Sequence, residues 1–211
     1  MHFKINKNKN KYTIVFEESN EHVIKTIINT KLILGATTTN YKTIIFNAKD
    51  VEQLNLSKVY DIKSIYKMIY QLGKQIDYLI THEKVCPFNF SHKCVYIINN
   101  NYIYLPDPSE LLTVDNNYIY ITFPFTHIKG IKSPELTELK ELPITINYKT
   151  IYYSLGCFFL FFLLKGKITI EEITNNPKLI LDKSSLFGSK IYYFIDRCIE
   201  KKPTDRFLIY L

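Results

Sequence analysis

The sequence predicts an α+β protein in which a short, strand-rich N-terminal part precedes a longer, mainly helical part. Short β-branched and aromatic runs alternate with polar turns over the first sixty residues. Farther along, apolar residues recur at three- and four-residue intervals from Asp61 to Thr81, and an apolar run extends from Tyr152 to Leu164. The 211 residues, 46% hydrophobic and 22% charged, suffice for one large domain or two small lobes.

Five strands are predicted in the N-terminal part, because each run is short, rich in β-branched residues and bounded by polar turns. They are His2–Ile5, Tyr12–Glu17, His22–Ile28, Lys31–Ala36 and Lys42–Asn47. The stretch from Ala48 to Leu54 is the only expected boundary between two parts of the chain. The predicted division is therefore residues 1–48 and residues 49–211.

Helices and a hairpin account for most of the remaining pattern. The predicted helices are Asp61–Thr81, Tyr152–Leu164, Thr169–Thr174 and Ser189–Lys201. Asp61 is suited to cap the first of these helices, and Pro203 ends the last. Before the second helix, Val95–Asn99 and Tyr102–Leu105 predict a short hairpin, and Tyr118–Phe123 predicts a further strand.

Short motifs along residues 49–211 resemble those of protein kinases and occur in the order found in that family. The stretch Pro87–Cys94 is similar to the catalytic loop, and Asp107 is similar to the acid of the Asp-Phe-Gly motif. Ser133-Pro134-Glu135 resembles the Ala-Pro-Glu motif, and the segment ending at Arg206 resembles the last helical pair. The resemblance implies a protein kinase-like fold, with a small five-strand N-lobe that lacks the regulatory helix and a mainly helical C-lobe.

The same resemblance assigns roles to individual side chains. It implies that Glu135 and Arg206, seventy-one positions apart, form a buried structural ion pair. It places Lys25 where a kinase lysine pairs with the nucleotide phosphates, and Asp107 where an acid holds magnesium. Only six residues separate Lys25 from Leu32, which is too few for the helix that normally presents an acid to that lysine.

Most groups that phosphoryl transfer requires are replaced. Asn89 stands at the position of the catalytic base, and an amide cannot accept a proton at useful pH. Cys94, a soft ligand, stands where magnesium requires a hard oxygen. Asn6–Lys11, in place of a Gly-rich loop, contains no glycine, and Ile151 replaces an anchoring acid. The expectation is an inactive pseudokinase that binds a protein partner as a scaffold, decoy or allosteric regulator, with no cofactor beyond weak binding of ATP and magnesium.

Two alternatives stay open. The first is a weakly active or atypical ATP-dependent serine/threonine protein kinase that uses Lys25 and Asp107. The second is a basic module that binds nucleic acid or a membrane surface, because the formal net charge is +7. The charge is densest at Lys4, Lys7, Lys9 and Lys11. Within this second alternative, nucleic acid is disfavoured as the ligand, since the Tyr-rich strands lack interleaved arginines.

Composition also bears on location. The apolar run Tyr152–Leu164 is shorter than the roughly 20 residues of a membrane span, so no span is expected. The opening Met1–Tyr12 lacks the apolar stretch of a secretory signal. The four cysteines form no Cys-x-x-Cys pair, which favours a reduced, intracellular and cytoplasmic protein.

Overall fold

The computed structural model describes residues 2–123, 130–164 and 167–210, which fall into two compact units. The first unit contains the chain up to Leu54 together with Tyr60–Val85 and Lys93–Leu111. The second unit contains Asn55–Val59, Cys86–His92 and the chain from Leu112 onwards. Each unit has its own buried side chains.

Seven α-helices and eleven β-strands are formed by the described residues. The helices are α1 Glu21–Asn29, α2 Ile62–Thr81, α3 Pro134–Thr137, α4 Thr150–Leu163, α5 Ile170–Asn175, α6 Pro177–Asp182 and α7 Lys190–Cys198. The strands are β1 Phe3–Asn8, β2 Lys11–Phe16, β3 Thr37–Asn40, β4 Thr43–Asn47, β5 Val51–Gln53, β6 Val85–Pro87, β7 Val95–Ile98, β8 Asn101–Tyr104, β9 Leu111–Asp115, β10 Tyr118–Ile121 and β11 Ile144–Asn147.

Three small antiparallel sheets result. The N-terminal sheet has the strand order β1-β2-β4-β3, the second has the order β5-β7-β8, and the third has the order β11-β10-β9-β6. In the first sheet Phe3 lies opposite Phe16, and Tyr12 lies opposite Phe46. The ring centroids of these pairs are 5.7 and 5.9 Å apart, so cross-strand aromatic contacts stabilise the inner face of this sheet.

The predicted architecture, a protein kinase-like fold with a small five-strand N-lobe that lacks the regulatory helix and a mainly helical C-lobe, is wrong. The N-terminal sheet has four strands, and helix α1 occupies the place of the predicted strand His22–Ile28. The predicted strand Lys31–Ala36 is irregular, and β3 begins only at Thr37. The later part of the chain adds two further sheets to its helices.

Packing explains why α1 is a helix despite its β-branched residues. Val23, Ile24 and Ile27 are fully buried and recur at the spacing of one helix face, which packs against α2. Glu21 and Lys25 lie one turn apart and form an ion pair, with Nζ 2.6 Å from Oε1. The local preference of valine and isoleucine for strands is weaker than this burial, so tertiary packing decides the structure.

Helix α2 supplies hydrogen bonds to the open edge of the second sheet. Gln71 Oε1 accepts from the N–H of Tyr102 at 2.9 Å, and Gln75 Oε1 accepts from the N–H of Tyr104 at 3.0 Å. Gln75 Nε2 also donates to the Tyr104 carbonyl. Four residues span about 6 Å along a helix and two span about 6.7 Å along a strand, so the two spacings match. The two glutamines thus hydrogen-bond to backbone groups on the outer edge of β8, the last strand of its sheet.

Helix α4 is the buried centre of the second unit. Its apolar side chains are buried nearly all round, and the Phe159 ring lies 5.5 Å from that of Phe194 on α7. Gly156 permits this close approach, because a Cβ there would lie 2.7 Å from the Cβ of Cys198. Among the helices of the described residues, none has the length and apolar character needed to cross a membrane.

Candidate functional site

Lys25, the candidate phosphate-pairing lysine, lies on a helix of the first unit. Its side chain is 41% exposed, and its Nζ contacts Glu21 on the same helix. The ammonium also lies 5.5 Å from the centroid of the Tyr41 ring. The hydrogen bond with Glu21 raises the pKa of Lys25, so the side chain stays cationic at neutral pH. The ammonium of Lys25 therefore contacts the carboxylate of Glu21 and the ring of Tyr41.

Asp107, the candidate metal ligand, has a protein partner at each carboxylate oxygen. Oδ1 accepts hydrogen bonds from the N–H and the hydroxyl of Ser109, at 3.0 and 2.7 Å. Oδ2 lies 3.3 Å from Nδ1 of His2, a largely buried ring that stacks on Phe16. Burial lowers the pKa of His2, and this outweighs the raising effect of Asp107. Asp107 therefore caps a turn and binds a histidine that precedes the first strand.

The N-terminal lysines surround a β-hairpin turn in the same unit. Lys4, Lys7, Lys9 and Lys11 are all exposed on β1, β2 and the turn between them. Lys9 has φ 56°, and the ammonium of Lys7 lies 5.3 Å from the Tyr12 ring. A phosphate-binding loop uses glycines so that phosphate can approach its backbone amides, and this turn has side chains instead. The hairpin is therefore a cationic surface that is poorly suited to bind phosphate through its backbone.

Asn89, at the position of the catalytic base, is fully buried in the second unit. The next residue, Phe90, exchanges two backbone hydrogen bonds with Ile131, at 3.1 and 3.0 Å. Gly130 lies directly against the Asn89 side chain, and a Cβ at Gly130 would be 3.1 Å from Cγ of Asn89. The glycine has φ 148°, which other residues rarely adopt. Asn89 is thus a packed amide inside its unit.

Glu135 and Arg206 form a bidentate ion pair in the second unit. Arg206 is fully buried, and its Nη1 and Nη2 donate to the two carboxylate oxygens of Glu135, the second at 3.1 Å. The remaining donors reach the carbonyls of Glu200, Lys149 and Lys201, at 2.7, 3.5 and 3.2 Å. All five N–H groups of the guanidinium therefore have an acceptor. The Arg206 side chain joins α3, the start of α4 and the segment after α7.

Three of the four thiols of the chain are poorly suited to chemistry. Cys86, Cys157 and Cys198 are buried, and burial raises the pKa of each thiol, which disfavours the reactive thiolate. Cys94 ends a short 3₁₀ turn before β7, and its carbonyl accepts from the N–H of Leu105 at 2.8 Å. Within the described ranges, no group of three or more His, Cys, Asp or Glu side chains is placed to hold a metal ion.

Of the residues predicted from the sequence, the structure thus brings Glu135 and Arg206 into contact, whereas Lys25 and Asp107 have separate partners. Sequence reasoning missed His2 as the partner of Asp107, and nothing in its local sequence indicates that role. It also missed Gln71 and Gln75, although two glutamines within the apolar stripe of α2 are a detectable signal. No protein-family model matches the sequence, and a search of curated proteins finds no relative.

Proposed function

We propose that this chain is a pseudokinase, a non-catalytic domain that binds a protein partner as a scaffold, decoy or allosteric regulator. One observation carries the proposal. The side chains that the kinase resemblance assigns to the nucleotide, Lys25 and Asp107, are held by Glu21 and by His2 with Ser109. The relation to kinases is inferred from the motifs of the later part of the chain and does not require a five-strand lobe.

The chemistry of phosphoryl transfer supports this function. The reaction depends on a lysine at the phosphates, acids that hold magnesium and a carboxylate that accepts the hydroxyl proton. Lys25 lies on α1 and not on a strand. The Asp107 carboxylate accepts a hydrogen bond from the N–H of Ser109 and contacts the ring of His2. Asn89 offers an amide in place of the carboxylate, and that amide is packed against Gly130.

The ion pair between Glu135 and Arg206 supports the binding role. Both residues were assigned by the kinase resemblance, and their side chains connect three segments of the second unit. A buried pair of this kind contributes to a defined fold and takes no part in transferring phosphate. The pair is present whereas the groups needed for catalysis are replaced. This combination favours a chain that functions by binding a partner through its surface.

A phosphoryl-transfer assay tests the proposal. The full chain is incubated with γ-labelled ATP, with magnesium or manganese, and with casein and a basic protein as acceptors. We expect the label in the chain and in the acceptors to equal that obtained with Asp107→Asn, because the groups that would position ATP are engaged elsewhere.

The matched control is Asp115→Asn, which removes an exposed aspartate at the end of β9. Transfer that falls at least about tenfold in Asp107→Asn and is retained in Asp115→Asn would show a working active site and contradict the proposal. An active kinase assayed in parallel establishes that the conditions support transfer.

A further inference from the structure

The first β-hairpin of the chain, residues 3–16, has an exposed surface made only of lysine and asparagine. It comprises β1, β2 and the turn between them, and we call it the lysine hairpin. The segment contains no aspartate or glutamate, so its formal charge is +4, against +7 for the whole chain. Its exposed residues are Lys4, Asn6, Lys7, Asn8, Lys9, Asn10 and Lys11.

The backbone of the lysine hairpin is held in place by its inner face. Phe3 lies opposite Phe16, and both side chains are buried in the core of the first unit. Lys4 and Lys11 lie on the opposite, outer face, because successive side chains of a strand alternate between faces. Lys9 lies in the turn. The positions from which the lysine side chains extend are therefore fixed before a ligand binds.

The charges of these lysines are not neutralised by acids. Within the described ranges, no carboxylate lies within ion-pair distance of Lys4, Lys7, Lys9 or Lys11. The ammonium of Lys7 contacts the ring of Tyr12, which leaves its charge unpaired. The hairpin thus presents four ammonium groups to an anionic partner.

The acids nearest in the chain do not cancel this charge. Glu17 and Glu18 follow β2, at the end of the hairpin away from the turn. The neighbouring strands β3 and β4 contain no charged residue. Lys49 and Asp50 come after β4, beside the turn, and their charges offset each other. Glu52 on β5 is the next acid along the chain. The turn end of the hairpin therefore stays cationic.

The side chains of the hairpin distinguish between classes of anionic partner. Single-stranded nucleic acid is bound by exposed aromatic rings that stack on bases, and base edges are commonly read by arginine. The hairpin contains no arginine, and its tyrosine, Tyr12, is only 5% exposed. An acidic protein segment would need aromatic or apolar anchors at the centre of the contact, and the exposed lysines and asparagines offer none. An anionic lipid surface requires only clustered cations, which its negative potential attracts.

We infer that the lysine hairpin binds the surface of a bilayer that contains anionic lipids, with Lys7, Lys9 and Lys11 against the headgroups. The exposed asparagine amides between them are donors for headgroup oxygens. Because every exposed side chain of the hairpin is polar, the contact is electrostatic and reversible. This inference concerns the first unit and goes beyond the proposed function, since it does not depend on whether the chain transfers phosphate.

Sedimentation with sucrose-loaded vesicles tests the inference on the full chain. The vesicles contain phosphatidylcholine alone or with about 30% phosphatidylserine, whose charge supplies the negative surface potential. We expect the chain to sediment only with the phosphatidylserine vesicles at about 0.05 M KCl, and to be released at about 0.3 M KCl, because salt screens exposed charges.

A triple variant, Lys7→Gln with Lys9→Gln and Lys11→Gln, removes the charge at the turn. Its partition coefficient onto these vesicles is expected to fall about fivefold for each lysine, and so about a hundredfold in total. The matched control, Lys183→Gln with Lys190→Gln and Lys202→Gln, removes the same charge from exposed lysines of the second unit. Its partition coefficient is expected to change less than about threefold, since those charges lie outside the hairpin. Circular dichroism checks that both variants fold.

Fluorescence anisotropy with short labelled DNA, single-stranded and duplex, tests nucleic acid as the partner. At the higher salt concentration we expect no DNA binding that depends on the three lysines. Three outcomes would overturn the inference: the wild type does not sediment with phosphatidylserine vesicles at low salt, the two triple variants bind them equally, or lysine-dependent binding to DNA persists at high salt. The last outcome would assign the hairpin to nucleic acid.

Discussion

Arg206→Ala is expected to lower the free energy of unfolding by about 3 to 5 kcal/mol, because removing one partner of a buried ion pair leaves the other uncompensated. The loss extends beyond Glu135, since the guanidinium also donates to the carbonyls of Glu200, Lys149 and Lys201. Urea unfolding followed by far-ultraviolet circular dichroism measures the effect, which suits a chain without tryptophan.

The other arginine of the chain is the control. Arg197 pairs with Glu200 at 3.3 Å on the surface, so Arg197→Ala is expected to change stability by no more than about 1 kcal/mol. Arg206→Lys retains the charge but has three donors in place of five, and an intermediate loss is expected. The structural role assigned to Arg206 would be refuted if Arg206→Ala were no less stable than Arg197→Ala.

Gln75→Leu is expected to produce the second large loss, about 1 to 3 kcal/mol for each polar group left without a partner. The fully buried Gln75 accepts from the N–H of Tyr104 and donates to its carbonyl. Leucine fills a similar volume but can satisfy neither group. The same urea unfolding experiment measures the difference between the variant and the wild type.

Lys67→Leu on the exposed side of α2 is the matched control, with an expected change within about 0.5 kcal/mol. Native-state hydrogen exchange adds a local readout, because the amide of Tyr104 should exchange faster in Gln75→Leu. An equal stability of the two variants would show that Gln75 does not support the edge of β8.

Local patterns in the sequence were sufficient for some elements of the fold and misleading for others. Helix α2 can be predicted because its apolar residues recur on one face over five turns. Its predicted cap is also present, since Asp61 accepts a hydrogen bond from the N–H of Ser64 at 2.7 Å. Helix α1 was misread as a strand, because its isoleucines and valine have the propensity of strands and its helical spacing covers only nine residues. Burial of that face against α2 could not be known from the segment alone.

The functional residues divide in the same way. The pairing of Glu135 with Arg206 could be inferred from motifs, since each residue belongs to a recognisable segment. The contact between His2 and Asp107 could not, because it joins residues far apart in sequence through the packing of the first strand.

Thermal unfolding with and without magnesium and ATP tests the central claim most directly. A nucleotide at a hundredfold excess over its Kd stabilises a protein by about 2.7 kcal/mol. For a chain of this size that corresponds to a rise in Tm of about 5 to 10 °C. Because Lys25 and Asp107 are engaged by other side chains, we expect the Tm of the wild type to be unchanged by millimolar magnesium and ATP. A rise of that size, present in Asp115→Asn and absent in Asp107→Asn, would contradict the claim.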